Sequence, residues 1–522
     1  MGVGGWRSVL VALVVSGGLL VGTVGSGATS GGGLRDVGDS AGSHPARAER
    51  VASPTADRPN IVVITSDDQS LSDLRWMPRT RRVLGDAGVT FSSMLSPHPL
   101  CCPARANLLT GQYAQNSGVR SNDGRLLGGF PALDPSHVLP VWLQSAGYRT
   151  AFVGKYLNGY ENHLERVGDE PGGRQPGWTQ WNPIVAHVDE YFGSTFYDNG
   201  ARRTFARQHS SDVIRRYTGD YIRRFADKPQ PFFVWAAHYA PHATCVGPPS
   251  QGCWQPAVPA RRHAQLFERV RSPSFRDPAF NEKDMTDKPP EMRERPPVQE
   301  QRVQSHFLGR IRSLQAVDEA VADAVATLRD EGELDNTVVM FGSDNGMLMG
   351  EHRWMNKNLP YEEDLRVPLL VRGPGVPRNE VRHQTVSMID IAPTVLDLAD
   401  ATASVVVDGR SFLPVLRDPR APGGGTILIQ AGPTTVAQSN GWGWSWRGVR
   451  TGRYTYVQHA SGFGELYDRQ RDPAQLRNVA RRAAYQAIGA ELQRRTGVLG
   501  DCVGVSCWPA WEPLPAPEFA RQ

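Results

Sequence analysis

The sequence predicts an α/β protein: a mostly parallel central sheet flanked by helices, with a smaller α+β domain toward its C-terminal end. Three observations carry this. Past residue 58, short apolar runs alternate with amphipathic segments. Polar, chemistry-bearing residues follow those runs immediately, as they do where strands of an open parallel sheet end at a ligand site. From about residue 420, short strand-like runs precede one helical stretch, the order of a separate small unit.

Each element has its own warrant. "NIVVIT" (60–65) reads as a buried strand stopping at Ser66-Asp67-Asp68. "VLPVWLQSAG" (138–147) reads as a helix, and "RTAFVGK" as a strand ending at Lys155. "PFFVWAAH" (231–238) is a third strand, followed by a turn around Pro241-His242. Phe307, Ile311, Leu314, Val317, Val321, Val325 and Leu328 recur at helical spacing, which predicts an amphipathic helix over 305–331. "TVVMFGS" (337–343) is a strand delivering Asp344-Asn345-Gly346. Residues 271–300 are Pro-rich, charged and aperiodic, and read as a flap over the site. "TILIQA" and "WRGVRTGRYTYVQ" read as strands and 473–494 as a helix, so 58–418 and 419–522 form the two predicted domains.

At 522 residues the chain is long enough for a large domain plus a small one. A formal charge of +4 suits an anionic substrate, but clustered Lys and Arg of the kind that hold nucleic acid are missing. Arg7, the apolar run Val9 to Val24 and the small residues Gly25 to Ser30 have the order of a secretory signal peptide (1–30). An uncleaved membrane anchor is the alternative. Residues 31–57, rich in Gly, Ser and Ala, read as a flexible linker, and no later run is apolar enough to span a bilayer. A secreted, extracellular protein without stable membrane insertion after cleavage is expected. Export permits disulfides, and local bridges Cys245–Cys253 and Cys502–Cys507 are the simplest pairing. That leaves Cys101 and Cys102, adjacent and poorly placed to bridge each other.

The string "LCCPARANLLTGQYA" (100–114) sets those two cysteines in context. Pro103 restrains Cys102, and the stretch after Arg105 has the composition of a helix start, where backbone N–H groups face an anion. Cys101-x-Pro103-x-Arg105 followed by Leu109-Thr110-Gly111 resembles the signature that type I, formylglycine-dependent sulfatases present to the formylglycine-generating enzyme. The resemblance runs from about residue 58 to 480, through "PNIVVITSDDQ", "GKYLNGY", "APH" (240–242), "SDNG" (343–346), "GEHRWMNKNLPYEEDLRVPLLVRGPG" (350–375) and "ELYDRQRDP" (465–473). It is strongest to the branch of N-acetylglucosamine-6-sulfatases and heparan endosulfatases, and it implies the alkaline phosphatase-like fold.

The chemistry explains the residue types. A sulfate monoester is a stable anion, so a hard cation that withdraws charge from a sulfate oxygen eases attack. Asp67, Asp68, Asp344 and Asn345 offer an all-oxygen set that suits Ca²⁺, with Mg²⁺ as the alternative. The resemblance implies that Cys101 becomes 3-oxoalanine (formylglycine), whose hydrate binds the metal through one hydroxyl and attacks sulfur. The second hydroxyl then expels the covalent sulfate. It further implies that Arg105 steadies the oxygens of residue 101, that Lys155 and Lys357 neutralise sulfate oxygens, and that His242 sits beside the leaving oxygen.

One position departs from the family. Many sulfatases carry a His two residues after the lysine of "GKYLN", where this chain has Leu157, so the base for sulfate expulsion is unassigned. Asn158 and His352 are candidate substrate contacts, His98 a weaker one, and Gln69 a candidate for the metal edge. Trp442, Trp444 and Trp446 alternate in a Gly-rich run, which favours one packed strand face over a sugar platform. The leading expectation is hydrolysis of sulfate esters on a sulfated sugar or glycosaminoglycan-like substrate. A phosphodiester or phosphonate monoester hydrolase of the same superfamily is the enzymatic alternative, and a non-catalytic extracellular binder of sulfated glycans the third.

Overall fold

A computed structural model describes residues 58–168, 173–186, 188–244 and 255–519. The expected signal peptide and linker, and Cys245 and Cys253 with their expected bridge, lie outside the described residues. The strands of the large sheet are β1 (Asn60–Ser66), β2 (Val89–Leu95), β3 (Arg149–Gly154), β4 (Gln180–Ala186), β5 (Thr195–Asp198), β6 (Ala201–Thr204), β7 (Phe232–Ala237), β8 (Thr337–Ser343), β9 (Arg366–Arg372), β10 (Glu380–Arg382) and β11 (Val386–Ser387). Their order is β10-β2-β9-β8-β1-β7-β3-β4-β5-β6, with β11 beside β2. The central run β8-β1-β7-β3-β4 is parallel throughout. Antiparallel pairs sit outside it, at β9 and at the β4-β5-β6 meander.

The near-continuous apolar composition of β1 follows from burial on both faces. Ile61 and Val63 face one core with Cys102, Ala106, Leu109, Leu139 and Val395. Val62 and Ile64 face the other with Val213, Ile222, Leu314 and Val317. The first core carries helices α1 (Cys101–Thr110), α2 (Leu139–Ser145) and α5 (Ile391–Ala399), the second α3 (Ser210–Ala226) and α4 (Glu300–Asp330). Helix α4 begins at Glu300, before the predicted 305, because Val303 continues the buried face one turn back. Ile311, Leu314, Val317, Val321 and Leu328 are all fully buried, each stabilising the fold by roughly 1.5–3 kcal/mol.

Register places the strand ends level. Ser66 pairs with Ser343, Thr65 with Ala237, and Ala237 with Gly154. Asp67, Asp344, His238 and Lys155 therefore leave the sheet side by side. The Lys155 N–H still donates to Ala237 O at 2.9 Å. Gly154 is required there: at φ 119° a Cβ would meet Ala237 O at 1.9 Å.

The smaller sheet is antiparallel, β12 (Thr426–Ala431), β13 (Trp446–Thr451), β14 (Tyr454–His459) and β15 (Gly464–Asp468), with α6 (Gln486–Gly500) against it. The predicted helix over 473–494 is displaced: 473–482 is irregular. Its backbone is spent elsewhere, with Arg477 N on Asp472, Asn478 N on Asp287 and Val479 N on Leu466 O. Cys502 and Cys507 form the expected bridge. Residues 271–300 are packed rather than loose. Lys288 is fully buried on Glu282, Asp287 and Leu476 O, and Met285 and Met292 enter a core. Among the described residues no helix is long and apolar enough to cross a membrane.

Candidate active site

Four neighbouring strand ends and one helix start build the site. Asp67 and Asp68 leave β1, and Asp68 adopts φ 66°. Three contacts hold that strained turn: the Asp68 N–H donates to Asp344 Oδ1 (3.1 Å), Asn345 Nδ2 donates to Asp68 Oδ1 (2.8 Å), and Arg310 of α4 donates to Asp68 O (2.6 Å). Arg310 was not legible beforehand, because a lone Arg on a periodic helix reads as a solvated face. Lys155 follows β3, and His242 lies in the turn after β7.

Helix α1 starts at Cys101, ahead of the stretch after Arg105 that the composition suggested. Pro103 lies within the first turn, where a missing N–H costs nothing, so it does not keep Cys102 out of the helix. The Cys102 N–H is taken by Asn122 Oδ1 at 2.8 Å. Cys101 Sγ lies 2.8 Å from Lys357 Nζ, 3.6 Å from Lys155 Nζ and 3.5 Å from Asp67 Oδ1. Cys102 Sγ points the other way, accepting from Asn158 N at 3.1 Å within the core. Arg105 lies one helical turn after residue 101. It bonds Asp344 Oδ2 (2.9 Å), Asp67 Oδ2 (3.2 Å) and Lys155 O, and so positions the two carboxylates.

The electrostatics follow from burial and pairing. Burial opposes ionisation of Asp67, but Lys155, His242, Arg105 and Lys357 outweigh it and hold the carboxyl well below its ordinary value. Lys155 and Lys357 are held above theirs despite burial, chiefly by Asp67 and Asp68 respectively. Burial and then Asp67 raise the Cys101 thiol to about 11, so an unmodified thiol here is protonated near neutral pH and a weak nucleophile. Burial lowers His242; its Nδ1 is engaged by Tyr239 OH (2.8 Å) and Ala243 O (2.6 Å), leaving Nε2, 3.5 Å from Asp68 Oδ2, facing the site.

The donor set fits a hard divalent cation. Asp67, Asp68, Cys101 and His242 bring ligand atoms within 4.8 Å of one another, and Asp344 and Asn345 adjoin them. Asn345 Oδ1 is buried without a hydrogen-bond partner, as a metal-ligating amide oxygen would be before its ion is counted. The Lys357 and Lys155 ammonium groups pair with the carboxylates of Asp68 and Asp67.

The weaker candidates separate. Asn158 is exposed and contacts Cys102. His352 is fully buried, bonded through Nδ1 to Glu282 (2.6 Å) and stacked on Tyr361 at 4.0 Å. His98 Nε2 accepts from Gly432 N, and burial lowers it to about 3, so it is a neutral packing group. Gln69 turns from the metal edge to Ser66 Oγ and Met77 Sδ. Trp444 is buried between the guanidinium groups of Arg120 and Arg447 and Trp446 donates to Asn358 O, while Trp442 is exposed. Leu157 is buried, so no base occupies its place. Beside the site opens a cleft of about 700 Å³, walled in part by Leu100, Asn122, Lys357, Trp446 and His459. Only Lys357 and Trp446 of these were singled out from sequence, since the others come from loops and a hairpin that share no local motif.

Fold and site thus define an α/β protein that gathers a cluster of Asp, Cys and His side chains able to hold a metal ion, with Arg105, Lys155 and Lys357 paired to its carboxylates. The sulfatase family model matches residues 59–401, and the chain belongs to the sulfatase family. The N-acetylglucosamine-6-sulfatase of Capra hircus is 30% identical over 497 residues, covering 86% of this chain and 85% of that protein. The extracellular sulfatase Sulf-1 homologues of Caenorhabditis elegans and Drosophila melanogaster are 31% and 32% identical over 68% and 69% of this chain, which spans only 49% and 31% of their lengths. The solved structure of BT4656 with its substrate D-glucosamine-2-N,6-O-disulfate shares the fold, with a TM-score of 0.68 at 22% identity, over 84% of this chain and 97% of that one.

Proposed function

We propose that this protein hydrolyses sulfate monoesters on sulfated sugars, with residue 101 acting after conversion of its cysteine to formylglycine. The carrying observation is the placement of Cys101 Sγ at a helix start between Lys357 Nζ and Lys155 Nζ, with Asp67 3.5 Å away. Two ammonium groups beside the attacking position suit three sulfate oxygens, whose charge must be held in a water-poor site as the ester bond breaks. Asp67, Asp68, Asp344 and Asn345 would hold a divalent cation, Ca²⁺ by their all-oxygen chemistry, which supplies Lewis-acid polarisation of a sulfate oxygen. Arg105 fixes Asp67 and Asp344 so that both carboxylates stay oriented. His242, held through Nδ1–H on Ala243 O, directs Nε2 at the place of the departing alcohol oxygen, where the imidazolium form would supply the proton that oxygen needs. The order of the motifs around Cys101 supports the formylglycine-generating enzyme as maturation partner. The apolar run at Val9 to Val24 supports export.

The test is mass spectrometry of the peptide bearing residue 101, with rates on a chromogenic aryl sulfate and a phosphodiester. We expect an aldehyde at residue 101, an intact thiol at Cys102, and sulfate turnover that Cys101→Ala abolishes. An aldehyde at Cys102, or turnover surviving Cys101→Ala, refutes the nucleophile. Fast phosphodiester turnover with negligible sulfate turnover refutes the substrate class.

A further inference from the structure

The cleft beside the site does not end there. A second cavity of about 750 Å³ shares Arg295, Trp354 and Asn356 with it and continues along Gln299, Arg302 and Arg353. Each volume falls within the roughly 300–1,000 Å³ that holds a small organic ligand, so the two together accommodate more than the sugar carrying the reacting sulfate.

The shared wall is cationic. The Arg295 guanidinium lies 3.7 Å from the centroid of the Trp354 ring, a cation–π contact that restrains an otherwise exposed side chain. Its Nε makes one bond, to Glu291 O at 3.3 Å. Arg353 donates to three carbonyl oxygens, Glu282, Lys283 and Arg295 O. Among the described residues no carboxylate ion-pairs with Arg295 or Arg353. The two carboxylates on the near wall are already engaged, Glu291 with His459 Nδ1 (3.5 Å) and Asp123 with Arg125 (2.6 Å). Glu291 acts on Arg295 through space but makes no ion pair with it, so a planar guanidinium stacked on the ridge between two cavities keeps donors for an oxyanion through two parallel N–H bonds.

We infer that Arg295 on Trp354 forms a second anion-binding subsite, which reads a negative group on the sugar next to the one losing sulfate. This rests on the sulfated-sugar reading above and extends it to a substrate of at least two sugars. The chemistry recognised is a tetrahedral sulfate or a planar carboxylate on that neighbour.

The experiment uses the full chain and three disaccharides that share one sulfated sugar, with a neutral, a carboxylate-bearing or a sulfate-bearing neighbour. We expect kcat/KM to favour a charged neighbour by about tenfold, through KM rather than kcat, as the loss of one charge-assisted contact implies. Arg295→Ala should bring the charged-to-neutral ratio to about one, Arg295→Lys should restore part of it, and added salt should shrink it. Preference for one charged neighbour alone identifies which oxyanion is read. A neutral neighbour serving equally well, or a preference surviving Arg295→Ala, overturns the subsite. Calorimetric binding of the same disaccharides to the Cys101→Ala protein, with and without Arg295→Ala, decides the point independently of turnover. Absence of hydrolysis by modified enzyme would refute the parent reading, while equal binding of neutral and charged disaccharides would refute the subsite.

Discussion

The strand-end site and the wall of the cleft beside it are built on opposite plans. At the site, Asp67, Asp68, Asp344, Arg105, Lys155 and Lys357 are all at most 8% exposed, and each charge is countered by a neighbour. The three aspartates and Lys155 follow the ends of parallel strands β1, β3 and β8, whose register is fixed by ladders, while Arg105 comes from α1 and Lys357 from a loop. The wall draws instead on the loops holding Asn122, Arg295 and Trp354 and on the β14–β15 hairpin, and much of it is open to solvent. On the proposed reading the reaction falls to the buried strand ends and recognition to the loops around them. That division also says where each kind of substitution should be felt.

The sharpest break is Lys357, which belongs to both regions: its Nζ touches Cys101 and Asp68, and its side chain lines the cleft. If it serves the reaction, Lys357→Ala lowers kcat by roughly 10²–10³-fold, the loss typical of one donor to a developing charge. If it serves only recognition, KM rises and kcat is kept. Steady-state rates on the aryl sulfate, with unfolding temperature as the folding control, separate the two.

A second large effect is expected at the proposed metal ligands, where Asn345→Ala should cost less than loss of Lys357. Without a divalent ion, Asp67 and Asp68 have only the site's cations to balance them, and Asn345 Oδ1 has no partner. Exhaustive chelation should remove turnover, and Ca²⁺ should restore it. Asn345→Ala should raise the Ca²⁺ concentration for half-recovery by about 10–100-fold, as loss of a ligand or its supporting shell does. Turnover that survives chelation would leave the oxygen cluster a structural device.

The contrast also explains what could be read in advance. Asp67, Lys155 and Asp344 were legible because a strand end is a local event: an apolar run stops, and its next residue is placed by the sheet. The turn with His242, and Cys101 within its string, were legible from short motifs. Arg105 was legible as a residue, but its bonds to Asp67 and Asp344 were not, because they depend on how the helix packs against the strand ends. Arg310 and the Arg295–Trp354 pair were beyond reach, since each acts across more than 50 residues of sequence. The displaced C-terminal helix has the same cause: Asp287 of the flap captures the Asn478 N–H, a contact that no helical periodicity foretells.

The mildest prediction concerns the wall's own stability. His459 lies between Glu465, 2.5 Å from its Nε2, and Glu291, 3.5 Å from its Nδ1, and so ties the flap to the β14–β15 hairpin. Burial works against its charge, but the two carboxylates outweigh burial and raise it to about 9. The folded protein therefore holds this proton more tightly than the unfolded chain, where the imidazole releases it near its ordinary value of about 6.5. The stabilisation is complete below pH 6.5 and is lost as pH rises through 9, a change on the order of 1–3 kcal/mol. Thermal unfolding of the wild type should decline across that window by a few degrees more than that of His459→Gln, which keeps a hydrogen-bonding side chain but cannot titrate. Parallel declines would show that the pair contributes nothing pH-dependent and that the wall is held by packing alone. A decline confined to the wild type, with kcat on the aryl sulfate unchanged across the same window, would show that the two regions are energetically as well as structurally separate.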